Sequence, residues 1–443
     1  MAGHDGALGQ LPAARIGEKT MTTELSGVQK HVDAARVLEV EQALLRIPSS
    51  AFQEQQIADH LAERMKDIGL EVTMMDVVHP FDPTITSRQP MGILRGSGEG
   101  PSLMLNGHMD PGVEMPGWSV DPYAAKFEDG WVWGMGAHDD KGGIAAAFCA
   151  VEAIIRSGTR LKGDVLLCPV IAHKLGGAGT RALLRSGVRA DLCINMEHSN
   201  NTIANVCVGI VMVRIRVEAP ELFFRYSAEA KALYWNPIEQ LCEVIRRIGP
   251  SLDPIPEGSW MNFISHPDLP GFPTHTFDTF HKEHYYQKNH SGLHSKQAEL
   301  LLQFRTVPGQ TLQSVTADVS NLLEGIRRDH PAFNYSFEVP AKGTEEGWCQ
   351  EPMACAADHA LVVALAAGQE LASGAQAIVG GWGRLGNVGD GNIIAAHGIP
   401  TVQYGPGDIR IYKEWPTADE RVLLSDLVTA ARAVAYATVR MCG

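Results

Sequence analysis

The chain has 443 residues, of which 45% are hydrophobic, enough to bury the cores of two or three domains. Its formal net charge is -14, and the acidic groups are spread along the chain with no basic block. These properties argue against nucleic acid or a membrane surface as a partner and favour a small-molecule substrate.

The spacing of the cysteines and the composition of the N-terminal residues indicate the cellular compartment. Eight cysteines are widely spaced without a C-x-x-C pair, which predicts free thiols and neither a zinc ribbon nor a disulfide framework. We find no apolar signal segment near the start and no later segment long enough to cross a bilayer. We therefore expect a flexible N-terminus over residues 1–30 and a cytoplasmic protein.

The first half of the chain alternates helical and extended patterns. Apolar residues recur at helical spacing from Val32 to Ile68, Gly69 ends that helix, and a strand is expected over Leu70–Val77. Further strands are predicted at 102–106, 165–172 and 192–196, with a helix over 141–156. This alternation predicts a mostly parallel sheet with helices on both faces.

The pattern changes after residue 207. Ile210–Val217 alternates like a half-exposed strand, Pro237–Ile248 is amphipathic, and Leu300–Thr306 predicts another strand, whereas the stretch 258–294 has no clear period and predicts long loops. Helix, strand and helix patterns return at 359–372, 401–404 and 423–441. We predict an α/β catalytic domain over 31–207 and 342–443, interrupted by an α+β lid or dimerisation domain over 208–341.

A histidine and a carboxylate, His108 and Asp110, follow the strand at 102–106, where open α/β sheets place their ligand sites. Farther along lie Gly134-Met-Gly-Ala-His138-Asp139-Asp140-Lys141, Met196-Glu197, Phe304-Arg305-Thr-Val-Pro-Gly and Asp419-Glu420-Arg-Val. In this order the motifs resemble the metallopeptidase family of zinc aminoacylases, acetylornithine deacetylase, succinyl-diaminopimelate desuccinylase and glutamate carboxypeptidase. The resemblance covers nearly the whole chain from about Val32.

The resemblance implies a zinc-peptidase α/β fold and assigns one metal site. Family members hold two zinc ions bridged by an aspartate, and a glutamate activates the water between them. By this resemblance His108, Asp139 and Glu197 are the ligands of one zinc, and Asp110 orients His108 from outside the metal shell. All the protein ligands of one zinc are present.

The residues specific to the second zinc are absent. Where the family has a Glu-Glu pair, general base and then ligand, this chain has His173-Lys174, and the stretch 415–418 lacks the family's C-terminal metal-binding histidine. Losing a divalent cation removes two positive charges, and a change from glutamate to lysine restores two. Lys174 is therefore predicted to occupy the vacated position and pair with Asp139, unless it points to solvent in a decaying site.

Two alternative roles, one functional and one structural, are open for other candidate residues. His173 is either a general base or a space-filling residue whose pKa Lys174 lowers, and Arg305 either binds a substrate carboxylate or forms a structural ion pair. The lid lacks the family's oxyanion histidine near 218–225, for which Arg225, His290 or His294 are candidate substitutes. We do not assign His138 or Asp140 to the metal, because neighbouring side chains of an extended segment point apart.

Three functions remain open from the sequence. The first is a hydrolase-like enzyme that acts on the amide C–N bond of a small acyl amino acid or related metabolite with one zinc ion, or none. The second is a repurposed enzyme that performs condensation, cyclisation or elimination without the dinuclear centre. The third is a non-catalytic homologue. The resemblance also implies a homodimer formed through the lid.

Overall fold

The protein is described by a computed structural model over residues 27–219, 228, 234–256, 258–262, 265–284, 295–341, 349–381, 388–412 and 417–443. None of the helices in these ranges is both long and apolar enough to cross a membrane. All eight cysteine thiols are free, as expected. Arg225, His290 and His294 lie outside the described residues.

The larger sheet has the strand order β1-β2-β6-β3-β7-β15. The pairs β1/β2 and β2/β6 are antiparallel, and the pairs from β6 through β15 are parallel. Its strands are β1 (Glu71–Val78), β2 (Thr86–Leu94), β3 (Leu103–His108), β6 (Val165–Val170), β7 (Leu192–Asn195) and β15 (Thr401–Gln403).

Both faces of this sheet are covered, as the alternating pattern predicts. Successive side chains of β3 point to opposite faces, so that Leu103 and Leu105 join one core while Met104 joins another. The helices around the two cores are α1 (Ala34–Leu45), α2 (Gln55–Asp67), α3 (Lys141–Ser157), α4 (Ala178–Arg185), α7 (Ala360–Ser373), α8 (Asp390–Ala396) and α9 (Leu424–Cys442).

A second sheet lies within residues 209–350, in the order β10-β11-β9-β12, with β13 also paired to β9. It has its own hydrophobic core, to which two helices contribute. Its elements are β9 (Gly209–Glu218), α5 (Pro237–Ile248), β10 (Thr274–His284), β11 (Ser295–Thr306), α6 (Leu312–Asp329), β12 (Asn334–Glu338) and β13 (Cys349–Gln350). The prediction of loops throughout 258–294 is wrong for the edge strand β10. The domain boundaries at 207/208 and 341/342 stay predictions.

Short strands join distant parts of the chain. A three-stranded sheet places β16 (Arg421–Leu423) beside β5 (Trp131–Trp133), which also pairs with β4 (Lys126–Glu128). A two-stranded sheet pairs β8 (Val206–Cys207) with β14 (Met353–Ala354). The β16/β5 pairing brings the Asp419-Glu420 motif next to the loop that carries Asp139.

Two stretches of the N-terminal region differ from the expected pattern. The single helix predicted from Val32 to Ile68 is divided into α1 and α2. Within the stretch expected to be flexible, Val28 is buried and the Gln29 amide donates to the carbonyl oxygens of Gly368 and Arg432. Residues 27–30 therefore pack with the folded chain, and residues 1–26 lie outside the described part.

Candidate metal centre

Three predicted ligands converge at the carboxyl ends of parallel strands. Nε2 of His108, at the end of β3, lies 2.9 Å from Oδ1 of Asp139 and 3.8 Å from Oε1 of Glu197. Glu197 follows β7, which is the neighbour of β3, and all three side chains are buried. Nε2 of His108 therefore lies within 4 Å of one oxygen of each carboxylate.

The His108 ring is oriented by main chain, which corrects the role expected for the Asp110 carboxylate. Nδ1 of His108 lies 2.8 Å from the carbonyl oxygen of Asp110, while the Asp110 carboxylate is 3.7 Å away. That carboxylate instead accepts hydrogen bonds from the backbone N–H groups of His173, at 2.9 Å, and Lys174, at 2.8 Å. Asp110 thus anchors the turn that carries the two unusual residues.

The loop that carries Asp139 is held by one buried carboxylate, that of Glu420. It accepts hydrogen bonds from the backbone N–H groups of Gly136, His138 and Asp139 at 2.9, 2.8 and 3.0 Å. Burial raises the pKa of Glu420 to about 7, an effect that these donors partly oppose. The β16/β5 pairing therefore fixes the position of a predicted metal ligand.

Lys174 forms the expected ion pair, with its Nζ 2.7 Å from Oδ2 of Asp139. Burial opposes the charged form of Asp139, but Lys174 and His108 outweigh it and hold the pKa of this carboxyl well below its usual range. Burial likewise disfavours the Lys174 ammonium, but Asp139 and Glu197 reverse that effect and raise its pKa. The Asp139 carboxylate thus has Lys174 at one oxygen and His108 at the other.

His173 lies against His108, and a carboxylate missed in the sequence lies beside it. The two rings are stacked, with centroids 4.1 Å apart and planes 10° apart. Nδ1 of His173 is 3.3 Å from Oδ2 of Asp390, a buried residue at the start of α8. Burial lowers the pKa of His173, but Asp390 and Glu197 outweigh it and raise the pKa to about 9. Lys174 lowers the pKa of His173, as predicted, but the net shift is upward, so the expectation that Lys174 keeps His173 neutral is wrong.

Another histidine, His198, was not singled out from the sequence. Its Nδ1 lies 3.7 Å from Oδ1 of Asp139 and 3.6 Å from Oε2 of Glu197. Backbone hydrogen bonds fix the chain on both sides, from Met196 N–H to the Asn106 carbonyl and from Ser199 N–H to the Gly405 carbonyl. Its position directly after Glu197 was the available signal.

Arg305 is placed on a different element from this cluster. It lies on β11 of the second sheet, opposite Ile210 of β9 and Thr274 of β10. Burial lowers the pKa of its guanidinium to about 10. Its assignment to substrate binding stays a prediction.

The donor set suits a metal ion. Within the described residues, His108 Nε2, Asp139 Oδ1 and Glu197 Oε1 are buried and complete no hydrogen bond, although they face one another. Buried polar atoms are normally satisfied, and imidazole and carboxylate are common zinc ligands. Asp139, Glu197 and His198 together offer three such atoms within 4.8 Å of one another, as do His108, His173 and Glu197.

Comparison with known proteins places this site in a family. The sequence model of peptidase family M20/M25/M40 matches residues 104–440. The chain belongs to this family. The M20/M25/M40 model spans β3, the metal cluster, the second sheet and α9, so the resemblance stated from the motifs is confirmed.

Individual M20/M25/M40 relatives match most of the chain. N-formyl-4-amino-5-aminomethyl-2-methylpyrimidine deformylase of Bacillus subtilis is 25% identical over 403 residues, 87% of this chain and 89% of that enzyme. Other curated relatives, among them succinyl-diaminopimelate desuccinylases, match over about half of their own length. These relatives favour hydrolysis over the two alternatives, and the prediction of a hydrolase-like enzyme for C–N bonds of small acyl compounds is confirmed.

Solved M20/M25/M40 structures confirm the α/β fold. Aminopeptidase PepT from Bacillus cereus has a TM-score of 0.70 at 18% identity, covering 93% of this chain and 99% of PepT. The YXEP protein of Bacillus subtilis, a dinuclear metal-binding peptidase, has a TM-score of 0.66 at 15% identity, covering 92% of this chain and 97% of that protein.

Proposed function

We propose that this protein hydrolyses the amide C–N bond of a small N-acyl compound with a single zinc ion. In the proposal His108, Asp139 and Glu197 hold the ion, and the Lys174 ammonium takes the place of a second cation. The observation that carries the proposal is the 2.7 Å ion pair between Lys174 and Asp139. A carboxylate oxygen committed to an ammonium is not available to bridge two metal ions.

The charge balance supports one metal instead of two. A lysine in place of a ligand glutamate adds two positive charges, the amount that a lost divalent ion removes. The buried Asp139 carboxylate would be costly without a compensating positive charge. Lys174 supplies one such charge, and the ion that we propose supplies a second.

The proposed chemistry divides between the ion and the protein. A bound zinc ion lowers the pKa of a water ligand and polarises the scissile carbonyl. Glu420 and Asp110 hold the two loops that carry Asp139 and Lys174, which fixes the site before substrate arrives. We propose His173 as the proton-transfer residue, with Asp390, 3.3 Å away, as the carboxylate that orients it.

The substrate class follows from family membership and from the relatives. One relative is named for removing a formyl group and others for removing a succinyl group, so we propose a small N-acyl amide as the substrate. Arg305 is retained as a proposed binding residue for a substrate carboxylate. A homodimer through the second sheet and a cytoplasmic location complete the proposal, the latter supported by eight free thiols.

The direct test is hydrolysis of a panel of N-formyl, N-acetyl and N-succinyl amides by the full chain. We expect turnover of at least one class that disappears with a chelator and returns with zinc. His108→Ala should abolish the zinc-restored activity. Turnover that persists in chelator would contradict the proposal.

A further inference from the structure

We propose that His198 is a fourth protein ligand of the metal ion, which gives a centre of two histidines and two carboxylates. This inference rests on the proposed single-metal site and extends it with a residue that neither the motifs nor the family resemblance assigns. The remaining members of the set are His108, Asp139 and Glu197.

The distances around His198 suit a shared ion. Zinc–nitrogen and zinc–oxygen bonds of about 2.0–2.1 Å in a tetrahedral site separate neighbouring ligand atoms by roughly 3.3–3.4 Å. His198 Nδ1 lies 3.7 Å from Asp139 Oδ1 and 3.6 Å from Glu197 Oε2, within a few tenths of an ångström of that spacing. On the other side His108 Nε2 lies 3.8 Å from Glu197 Oε1. Glu197 offers a different oxygen to each histidine, so both of its oxygens would have to face the ion for all four side chains to bind it.

Independent support comes from the atoms that face His198. Oδ1 of Asp139 is buried and completes no hydrogen bond within the described residues, and the same holds for His108 Nε2. Potential ligand atoms that complete no hydrogen bond within the described residues therefore lie in the cluster that His198 joins.

His173 is a poorer candidate for this shell, although it also lies near Glu197. An imidazole nitrogen binds a metal along its lone pair, which lies in the plane of the ring. The rings of His108 and His173 are 10° from parallel with centroids 4.1 Å apart, so no point lies close to both planes. One ion cannot be bound well by both rings, and His173 is left for proton transfer.

His138 is excluded by its direction and provides a matched control. Its ring packs against His198 with centroids 4.4 Å apart, and both side chains are buried. A Cβ built on Gly407 would lie 2.7 Å from His138 Nδ1, which shows that this nitrogen faces the Gly407 backbone. His138 thus shares the packing environment of His198, with its Nδ1 directed at the Gly407 backbone.

The fourth ligand has a consequence for the reaction. Catalytic zinc sites usually have three protein ligands and an open position for water. If His198 held the ion together with the other three residues, protein side chains would fill all four positions of a tetrahedral centre, so water or substrate would have to enlarge the coordination. Lys174, which holds the other oxygen of Asp139, would limit how far Asp139 could move aside.

The test compares zinc affinity of the full chain with that of His198→Asn, His198→Asp and His138→Asn by competition with a chromophoric chelator. Asn and Asp each place an oxygen near the position of His Nδ1, but only the Asp oxygen is a strong ligand. We expect His198→Asn to weaken zinc binding by more than about 100-fold, above the range for partners outside the metal shell. His198→Asp and His138→Asn should each stay within about 10-fold of the unmodified protein.

X-ray absorption of the zinc-loaded proteins gives a second readout that does not depend on activity. The unmodified protein should show two imidazole ligands and His198→Asn one. Unmodified protein with one imidazole ligand, or His198→Asn with unchanged zinc affinity, would overturn the assignment of His198 and leave the single-metal proposal intact. Unmodified protein that binds no zinc would overturn both.

Discussion

The ammonium of Lys174 lies 2.7 Å from Oδ2 of Asp139, while Oδ1 of the same carboxylate lies 2.9 Å from the His108 ring. By the family resemblance, Asp139 corresponds to the aspartate that bridges two metal ions. Here the Asp139 carboxylate contacts the Lys174 ammonium on one side and one candidate metal position on the other. The pair therefore explains how a member of an amide hydrolase family can lack the residues specific to a second metal.

The Lys174–Asp139 pair should stabilise the metal-free protein. Lys174→Met leaves the buried Asp139 carboxylate without its cation, and we expect the free energy of unfolding to fall by about 1–3 kcal/mol in chelator. We expect a smaller loss of unfolding free energy than for a fully buried ion pair, because the Lys174 side chain is 31% exposed. Urea unfolding at neutral pH measures this loss.

The control for Lys174→Met is an exposed pair of the same length. Lys126 lies 2.7 Å from Glu128 on the surface, and Lys126→Met should change the free energy of unfolding by less than about 1 kcal/mol. Equal effects of the two substitutions would mean that the Lys174 pair adds nothing beyond a surface contact.

Glu420 is expected to act on the metal through the backbone. Glu420→Gln replaces one acceptor oxygen by an amide that cannot accept from the N–H groups of the loop 136–139, so Asp139 loses its fixed position. We predict zinc affinity 10- to 100-fold lower, roughly the effect of partners outside the metal shell. The neighbouring Asp419, which contacts Ser119 on the surface, is the control, and Asp419→Asn should bind zinc normally.

The pH dependence of the unfolding free energy should reveal the titration of the Glu54 carboxyl. Its Oε1 accepts from the backbone N–H of Ala172, and burial, together with the nearby Asp110 carboxylate, raises its pKa from 4.5 to about 8. The folded state then binds more protons than the unfolded state between about pH 4.5 and 8. Its contribution to stability is complete below about pH 4.5 and is lost as pH rises through about 8.

The comparison with Glu54→Gln isolates this group. Across the window the unfolding free energy of the unmodified protein, relative to the variant, should fall by up to about 1.4 kcal/mol per pH unit. Denaturant unfolding at several pH values between 5 and 8 measures the difference. A difference that stays constant with pH would show that Glu54 is ionised in the folded protein.

Gly177 allows the close approach of Asp390 to the turn that carries His173. Gly177 has a φ of 71°, and an added Cβ would lie 2.3 Å from Ile393 Cδ1 and 2.5 Å from Asp390 Oδ1. Gly158 has a φ of 72°, and a Cβ there would meet nothing within 4 Å. Gly158→Ala should therefore cost only the left-handed backbone strain, about 1–2 kcal/mol.

Gly177→Ala should reduce the unfolding free energy by more than Gly158→Ala does, because it adds collisions with Ile393 and Asp390 to the same strain. Thermal or denaturant unfolding of the two variants gives the difference directly. Equal losses would show that Ile393 and Asp390 can both move away from Gly177 at no cost.

The sequence contained most of the site because strand ends in a parallel sheet meet at one edge. His108 and Glu197 lie at the ends of neighbouring strands, and the pairing of Lys174 with Asp139 was predicted from the positions that the family resemblance assigns to them, together with the balance of charge. His198 was missed because the direction of a side chain in an irregular loop depends on tertiary packing. Asp390 was missed because it approaches the site from a helix that is distant in sequence. The role of Asp110 differed because a backbone carbonyl, invisible to side-chain motifs, orients His108.

The fold was predictable where hydrophobic patterns are strong. The buried strands β3, β6 and β7 each begin with a run of apolar residues, whereas β10 is the edge strand of its sheet. An edge strand can keep many polar residues, so the Thr- and His-containing segment 274–284 has no apolar run that predicts a strand.

The central claim, one metal ion beside an internal ammonium, is tested most directly by the number of zinc ions per chain. Protein saturated with zinc and freed of excess by dialysis should contain one zinc per chain by elemental analysis, and His108→Ala should contain none. Two zinc ions per chain would contradict the role given to Lys174, and no zinc in the unmodified protein would contradict the metal site itself.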